Sequence, residues 1–209
     1  MTEIKDYIAL FDLDGVILDS EGDYTKFWDE MGKKYLGVSD FGITIKGQTL
    51  VKILGDNYRR EDHEEITTQL MDYESKMPFE YIPGARRFLD ALSRSGVRMA
   101  VVSNKPHRET TRVVQTLFPR DTFSMVLGMM EKFEKKPALE PLEFVLNYLG
   151  VEKEDAVYVG DSDVDVAFAR NTGIDCISCT WGYRSRNCLI ESGASRLIDD
   201  FEERLGLLL

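Results

Sequence analysis

Two aspartates one residue apart, Asp12 and Asp14, end an apolar stretch that begins at Ile8 in IALFDLDGVILDS. Carboxylates this close repel unless a cation or a shared proton offsets them, so a metal site is the first chemistry they point to. Other polar residues recur at the edges of apolar runs. Ser103-Asn104 follows MAVV, Asp161 with Asp163 and Asp165 follows VYVG, and Lys136-Pro137 precedes a helical stretch. An acidic cluster of Asp12, Asp14 and Asp161 offers the oxygen ligands that a hard cation such as Mg²⁺ takes. Ser103 as a neutral donor and Lys136 as a point charge would then be available to phosphoryl oxygens. Each element alone has an ordinary reading as a turn or a solvated helix start. Four of them in this order point to phosphoryl chemistry.

The elements that must position these residues are legible in outline. The apolar run from Ile8 reads as a buried parallel strand, and Gly15 marks a sharp exit where backbone can approach a ligand closely. Asp12 and Asp14 then lie at the carboxyl end of a strand, where open α/β sheets build their sites. Within a strand residues i and i+2 share a face, but past its end the two can diverge. Downstream, helices over 85–94, 110–117, 142–149 and 164–171 alternate with strands over 99–103, 125–127, 156–161 and 175–178. That alternation predicts a parallel sheet with right-handed crossovers.

From about Glu21 to Phe79 the texture changes. Tyr24, Phe27, Trp28, Met31 and Tyr35 recur at helical spacing, as do Ile66, Leu70, Met71 and Glu74 in part. GITIKGQTL (Gly42–Leu50) reads as a loop leading into a helix over 50–54. The fold class is therefore α/β, a Rossmann-like parallel-sheet core with an inserted helical unit. We place the core at 1–19 and 82–209 and the insertion at 20–81.

Bulk properties exclude some functions. The chain has 209 residues, 43% hydrophobic and 11% aromatic, enough for a globular core. Its formal charge of −11 argues against a nucleic-acid partner, which needs a basic face. The cluster Lys132–Lys136 is too short to supply one. Three cysteines are too few and too clustered for a disulfide framework, which favours a reducing compartment. Cys176 and Cys179 lack a second pair or histidines at zinc spacing and read as strand core. Apolar runs are strand-sized, so no membrane partner is expected. MTEIKDY lacks the apolar stretch of a signal peptide, and a cytoplasmic monomer or weak dimer is the expectation. His63, in REDHEE, reads as a solvated helix residue and His107 as an exposed loop residue.

With the motifs assembled, the chain resembles the haloacid dehalogenase-like (HAD) hydrolase superfamily over nearly its whole length. FDLDGV matches the first motif at Asp12 and Asp14, VVSN the second at Ser103, KKPALEP the third at Lys136, and VGDSDVD the fourth at Asp161 and Asp165. YIPGARRFLDALSRSG and TWGYRS…ESGASRLIDD resemble phosphoglycolate phosphatase-like and β-phosphoglucomutase-like members, which carry a helical cap at this insertion point. Val16 stands where many relatives have Thr.

The resemblance implies a HAD fold and a division of labour. Asp12 would be the nucleophile, Asp14 the acid/base, and Ser103 and Lys136 a phosphoryl cradle. Mg²⁺ would be held by Asp12, Asp161 and the Asp14 main-chain carbonyl. Asp165, one helical turn past Asp161, would orient Lys136 or a water, and Asn104, Lys46, Gln48 and Thr49 would face substrate. Dehalogenase members lack the second aspartate and phosphonate-cleaving members carry a small residue there, so Asp14 fits phosphoester chemistry. The expected activity is Mg²⁺-dependent hydrolysis of a small phosphorylated metabolite, a phosphoglycolate- or sugar-phosphate-like monoester, through an aspartyl-phosphate. The alternative is a phosphomutase of the β-phosphoglucomutase type, which would return the phosphoryl group to a second hydroxyl. Hinges are expected near Asp19–Glu21 and Ile82–Gly84.

Overall fold

Six apolar segments pair side by side into one sheet in the structure, a computed structural model that describes residues 7–45, 48 and 50–201. They are β1 (Ile8–Phe11), β2 (Arg98–Pro106), β3 (Met125–Met129), β4 (Ala156–Gly160), β5 (Asp175–Cys179) and β6 (Leu197–Ile198). Their order is β3-β2-β1-β4-β5-β6, and every neighbouring pair is parallel. β1 and β4 are buried at every position, as strands covered on both faces must be. Phe11 lies level with Val101 on one side and Val159 on the other, so the carboxyl ends of β1, β2 and β4 meet at one edge. Strand order reverses between β1 and β4, and that is where α/β sheets open a crevice for ligands.

The chain forms two compact units, Met1–Asp19 with Glu80–Leu209, and Ser20–Phe79. The second unit is helical: α1 (Glu21–Met31), a π-helical turn (Gly32–Leu36), α2 (Phe41–Thr44), α3 (Leu50–Asn57) and α4 (His63–Lys76). Its core gathers Phe27, Trp28, Met31, Phe41, Ile53, Leu54, Ile66 and Leu70, with Tyr24 and Tyr35 packed against it. Met71 departs from the helical stripe and is exposed. The stripe is completed by Glu74, whose buried carboxylate accepts a 2.7 Å bond from the Tyr24 hydroxyl. The expected loop from Gly42 is also revised, because Phe41–Thr44 already forms a helical turn. Lys46 and Thr49 lie outside the described residues.

In the first unit the sheet packs against α5 (Ala85–Arg94), α6 (His107–Leu117), α7 (Glu140–Leu149), α8 (Asp163–Thr172) and α9 (Arg186–Glu191). Leu142, Val145 and Leu146 of α7 and Phe168 of α8 join Ile8, Leu10, Val102 and Tyr158 in one buried cluster. α5 buries Ala85, Phe88, Leu89 and Leu92, the stripe of an amphipathic helix. β2 runs three residues beyond the expected strand end, with a register shift before Pro106 pairs with Met129. α6 accordingly starts at His107, not at Thr110. β6, two residues, and α9, six, were not foreseen, since segments so short carry no measurable period. No helix among the described residues is long and apolar enough to cross a membrane.

Candidate active site

Asp12 is the first residue past β1 and is still tied to the sheet, its N–H donating to Val159 O at 2.9 Å. Its Oδ1 accepts from Leu13 N at 2.8 Å. Its Oδ2 faces Lys136 Nζ at 3.0 Å, and the side chain is 15% exposed. The ammonium of Lys136 is 2% exposed and also lies 2.8 Å from Asp165 Oδ1. It donates to Tyr158 Oη at 2.8 Å, and that hydroxyl donates on to Val102 O at 2.7 Å. Lys136 is thus fixed from β1, β4 and α8 at once.

Asn104, expected to face substrate, is placed otherwise. Its Nδ2 donates to Lys136 O at 3.1 Å and its Oδ1 accepts from Lys136 N at 2.8 Å. Both ends of the amide clamp the main chain of Lys136, which leaves the side chain committed to positioning. His107 is likewise no free loop residue, since it opens α6 and its Nδ1 accepts from Gly128 N at 3.2 Å. Gln48 lies in the helical unit, half-buried, its N–H donating to Ile45 O at 3.0 Å.

Asp165 sits in the first turn of α8 in a capping box with Ser162. Its Oδ2 accepts from Asp161 N at 3.2 Å, Ser162 N at 3.1 Å and Ser162 Oγ at 2.6 Å. With Oδ1 on Lys136, both oxygens are taken by protein donors. Asp161 is different, as its carboxylate takes one hydrogen bond among the described residues, Tyr183 N to Oδ2 at 2.6 Å. Backbone presses on that carboxylate from two sides. A Cβ at Gly182 would lie 2.2 Å from Asp161 Oδ2, and one at Gly15 2.5 Å away. Gly15 also has φ +79°, a conformation glycine adopts without penalty.

That turn at Gly15 changes the expected cluster of Asp12, Asp14 and Asp161. Gly15 N bonds Leu18 O at 2.9 Å and Leu18 N bonds Leu13 O at 3.0 Å, so the chain curls back directly after Asp14. Asp14 therefore diverges from Asp12, and its carboxylate pairs with Lys105 Nζ at 3.1 and 3.3 Å. Among the described residues, Asp12, Asp161 and Asp165 each bring one carboxylate oxygen within 4.8 Å of the others.

Burial shapes the charges. It pushes the Asp12 carboxyl from 3.8 up to about 6, with Lys136 opposing, Asp165 reinforcing, and a Ser103 hydrogen bond pulling down. Asp161 is driven well above the usual carboxylate range by burial and then by Asp165 and Asp12. Burial works to lower Lys136, but Asp12 and Asp165 outweigh it and hold the ammonium above its ordinary value. Three carboxylates thus share one ammonium. An all-oxygen donor set with a deficit of positive charge fits a divalent cation, with Asp161 the carboxylate least committed to protein donors.

The profile of the haloacid dehalogenase-like hydrolases matches residues 9–179. The chain belongs to that family. A phosphoglycolate phosphatase of Aquifex aeolicus is 31% identical over 193 residues, covering 88% of this chain and 89% of that one. A phosphoglycolate phosphatase of Pseudomonas savastanoi pv. phaseolicola is 28% identical over 210 residues, 94% of this chain and 77% of that one. A haloacid dehalogenase-like hydrolase of Streptococcus pneumoniae superposes with a TM-score of 0.85 at 21% identity, covering 97% and 98% of the two chains, and shows the fold. These relatives place the chain among the phosphoric monoester hydrolases of the family.

Four residues at the site were not singled out by sequence. Tyr158 was hidden in an apolar run, and Gly182 and Tyr183 carried no signal beyond the TWGYRS resemblance. Lys105 adjoined the motif at Ser103 but had no visible partner.

Proposed function

We propose that this family member is a Mg²⁺-dependent phosphatase acting on a small phosphate monoester, with 2-phosphoglycolate, the substrate named for its curated relatives, as the first candidate. One observation carries this reading: Asp12 stands at the carboxyl end of the central strand against a fixed ammonium, in a carboxylate cluster short of positive charge. Asp12, Asp161 and the main-chain carbonyl of Asp14 would hold Mg²⁺, which lets an anionic carboxylate meet an anionic phosphate.

Asp12 attacks phosphorus in line, and the ester P–O bond breaks with its electron pair leaving on the alcohol oxygen. The Asp14 carboxyl group gives that oxygen a proton. The Asp14 carboxylate then takes a proton from water as the water oxygen attacks phosphorus. The Asp12–phosphorus bond breaks, which releases inorganic phosphate and restores the carboxylate. Lys136, kept cationic by Asp12 and Asp165, and Ser103 bind the phosphoryl oxygens while charge spreads over them. Asp165 holds Lys136 in place. The helical unit serves as the cap that selects the leaving alcohol, with Lys46 and Gln48 as its candidate contacts. The three cysteines are free thiols, which fits a cytoplasmic enzyme working as a monomer or weak dimer.

The test is phosphate release from p-nitrophenyl phosphate and 2-phosphoglycolate with Mg²⁺, with EDTA, and with Asp12→Asn. Inorganic phosphate should be the product. Chelation should abolish its release, and Asp12→Asn should lower it at least roughly a thousand-fold, as loss of a nucleophile does. Turnover that survives either change overturns the reading, and an isomeric phosphoester as product assigns a mutase.

A further inference from the structure

Lys105 takes no part in the steps above, yet it is built into the site. Its side chain is 5% exposed and its ammonium lies 3.1 and 3.3 Å from the two oxygens of Asp14. A lysine buried to that depth is costly unless a carboxylate answers it. Its backbone is also held in place. Lys105 N donates to Ser103 Oγ at 3.3 Å, and Lys105 O accepts from the buried hydroxyl of Thr110 at 3.1 Å. The residues between the register shift and Pro106 stay extended. One segment, Ser103 to Lys105, thereby sets three groups: the Ser103 hydroxyl, Lys136 through the Asn104 clamp, and Asp14 through Lys105.

The chemistry of the pair is directional. An ammonium has three donors and no acceptor, so the hydroxyl of a protonated carboxyl group cannot point at it. We infer that Lys105 is a positioning residue that confines the acidic hydrogen of Asp14 to the side of the carboxyl group facing away from Lys105. The hydrogen is then aimed at the alcohol oxygen as the ester P–O bond breaks. The proton taken from water in the second step returns to the same side. This rests on the reading of Asp14 as acid and base.

The experiment compares kcat/KM for aryl and alkyl monoesters, because a p-nitrophenolate leaves without a proton and an alkoxide does not. The esters are p-nitrophenyl phosphate, glycerol 3-phosphate with its uncharged alcohol, and 2-phosphoglycolate. Asp14→Asn should lose far more on the alkyl esters than on the aryl ester. Lys105→Met should repeat that pattern, falling roughly ten-fold or more on both alkyl esters and less than about three-fold on the aryl ester, since general acids contribute about 10² to 10⁴. Lys105→Arg, still a donor without acceptors, should stay within about three-fold of wild type on all three esters. Lys105→Gln, whose amide accepts as well as donates, should show the same selective loss and serves where Lys105→Met does not fold.

Equal losses on all esters, or none, overturn the inference and leave the reading of Asp14 intact. A loss confined to phosphoglycolate also overturns it and assigns Lys105 to the charge of the substrate. If Asp14→Asn itself shows no selectivity, the reading of Asp14 falls and the inference with it.

Discussion

Replacing Asp165 by Asn changes one atom and should unsettle the whole site. The carboxylate oxygens face opposite demands that are all donors: Lys136 Nζ at 2.8 Å on Oδ1, and two backbone N–H groups and the Ser162 hydroxyl on Oδ2. An amide has one acceptor end. If its oxygen stays with the backbone groups, its NH₂ meets the ammonium and a charge-assisted bond of about 1.5–3 kcal/mol is lost. If it turns to Lys136, two backbone N–H groups lose their acceptor at about 1–3 kcal/mol each. An opposing effect exists, because removing Asp165 relieves the repulsion it exerts on Asp12 and Asp161. That relief is small, since burial already holds Asp161 toward its neutral form. We expect a net loss of about 2–4 kcal/mol in EDTA at neutral pH. For a chain of this size that is a fall of roughly 5–15 °C in Tm, read by calorimetry, with kcat in Mg²⁺ down at least roughly ten-fold as Lys136 loses its anchor. A Tm equal to or above wild type would refute the reasoning. Asp165 would then act chiefly as one more repelling charge of the cluster.

Asp12 and Asp161 lead to a further expectation for the metal-free protein. Both bind a proton more tightly folded than unfolded, so the stability they contribute is complete below the ordinary carboxylate range and is lost as pH rises through their raised values. Urea unfolding in EDTA should show stability falling between about pH 4 and pH 6 and beyond, and Mg²⁺ at neutral pH should restore it. Asp161→Asn, whose amide oxygen can still accept from Tyr183 N, should match or exceed wild type in EDTA and gain nothing from Mg²⁺; a Mg²⁺-induced rise in its Tm would count against Asp161 as a ligand. Among the cysteines, burial pushes the Cys176 thiol up to about 12 and the Cys179 thiol well above its ordinary value. A thiol reagent at pH 8 should therefore modify Cys188 alone in the native protein and all three after denaturation, and native labelling at Cys179 by mass spectrometry would contradict the packing of β5.

The parts of the site that sequence exposes are those whose meaning is local. An apolar run, an acid and a glycine within eight residues define the end of β1 without reference to the rest of the chain, and VYVGDSDVD does the same for β4 and α8. The four-residue step from Asp161 to Asp165 is readable as one helical turn, whereas the capping box between Ser162 and Asp165 emerges only in the structure. What was misread depends on distant partners. Asn104 looks like a turn residue until β2 is seen to continue past it and to bring it against Lys136, 32 positions away. Lys105 meets Asp14 across 91 positions. Sequence left open whether Asp14 stays beside Asp12 past the strand end, and the turn at Gly15 sends its carboxylate to Lys105. In the helical unit the stripe from Tyr24 to Tyr35 was legible because it spans three turns, whereas Phe41–Thr44 offers a single turn and no period at all.

One physical tension ties the fold to its chemistry. The residues that would hold a cation are also those whose buried charge should make the cation-free protein less stable. Asp161 is desolvated at the end of β4, crowded by backbone at Gly15 and Gly182, and among the described residues its carboxylate takes one hydrogen bond where that of Asp165 takes four. A carboxylate treated this way contributes little to folding on its own, and under the proposed reading metal binding would recover the free energy it withholds. Asp165, one turn away, is treated in the opposite manner and ties Lys136 to α8 at 2.8 Å. On the proposed reading, this division suits the chemistry: a fixed ammonium would meet the phosphoryl oxygens, and the charge deficit beside it would close when a divalent cation binds. Substitutions that neutralise Asp161 should therefore stabilise the metal-free fold while removing activity, and those that touch Asp165 should cost both together.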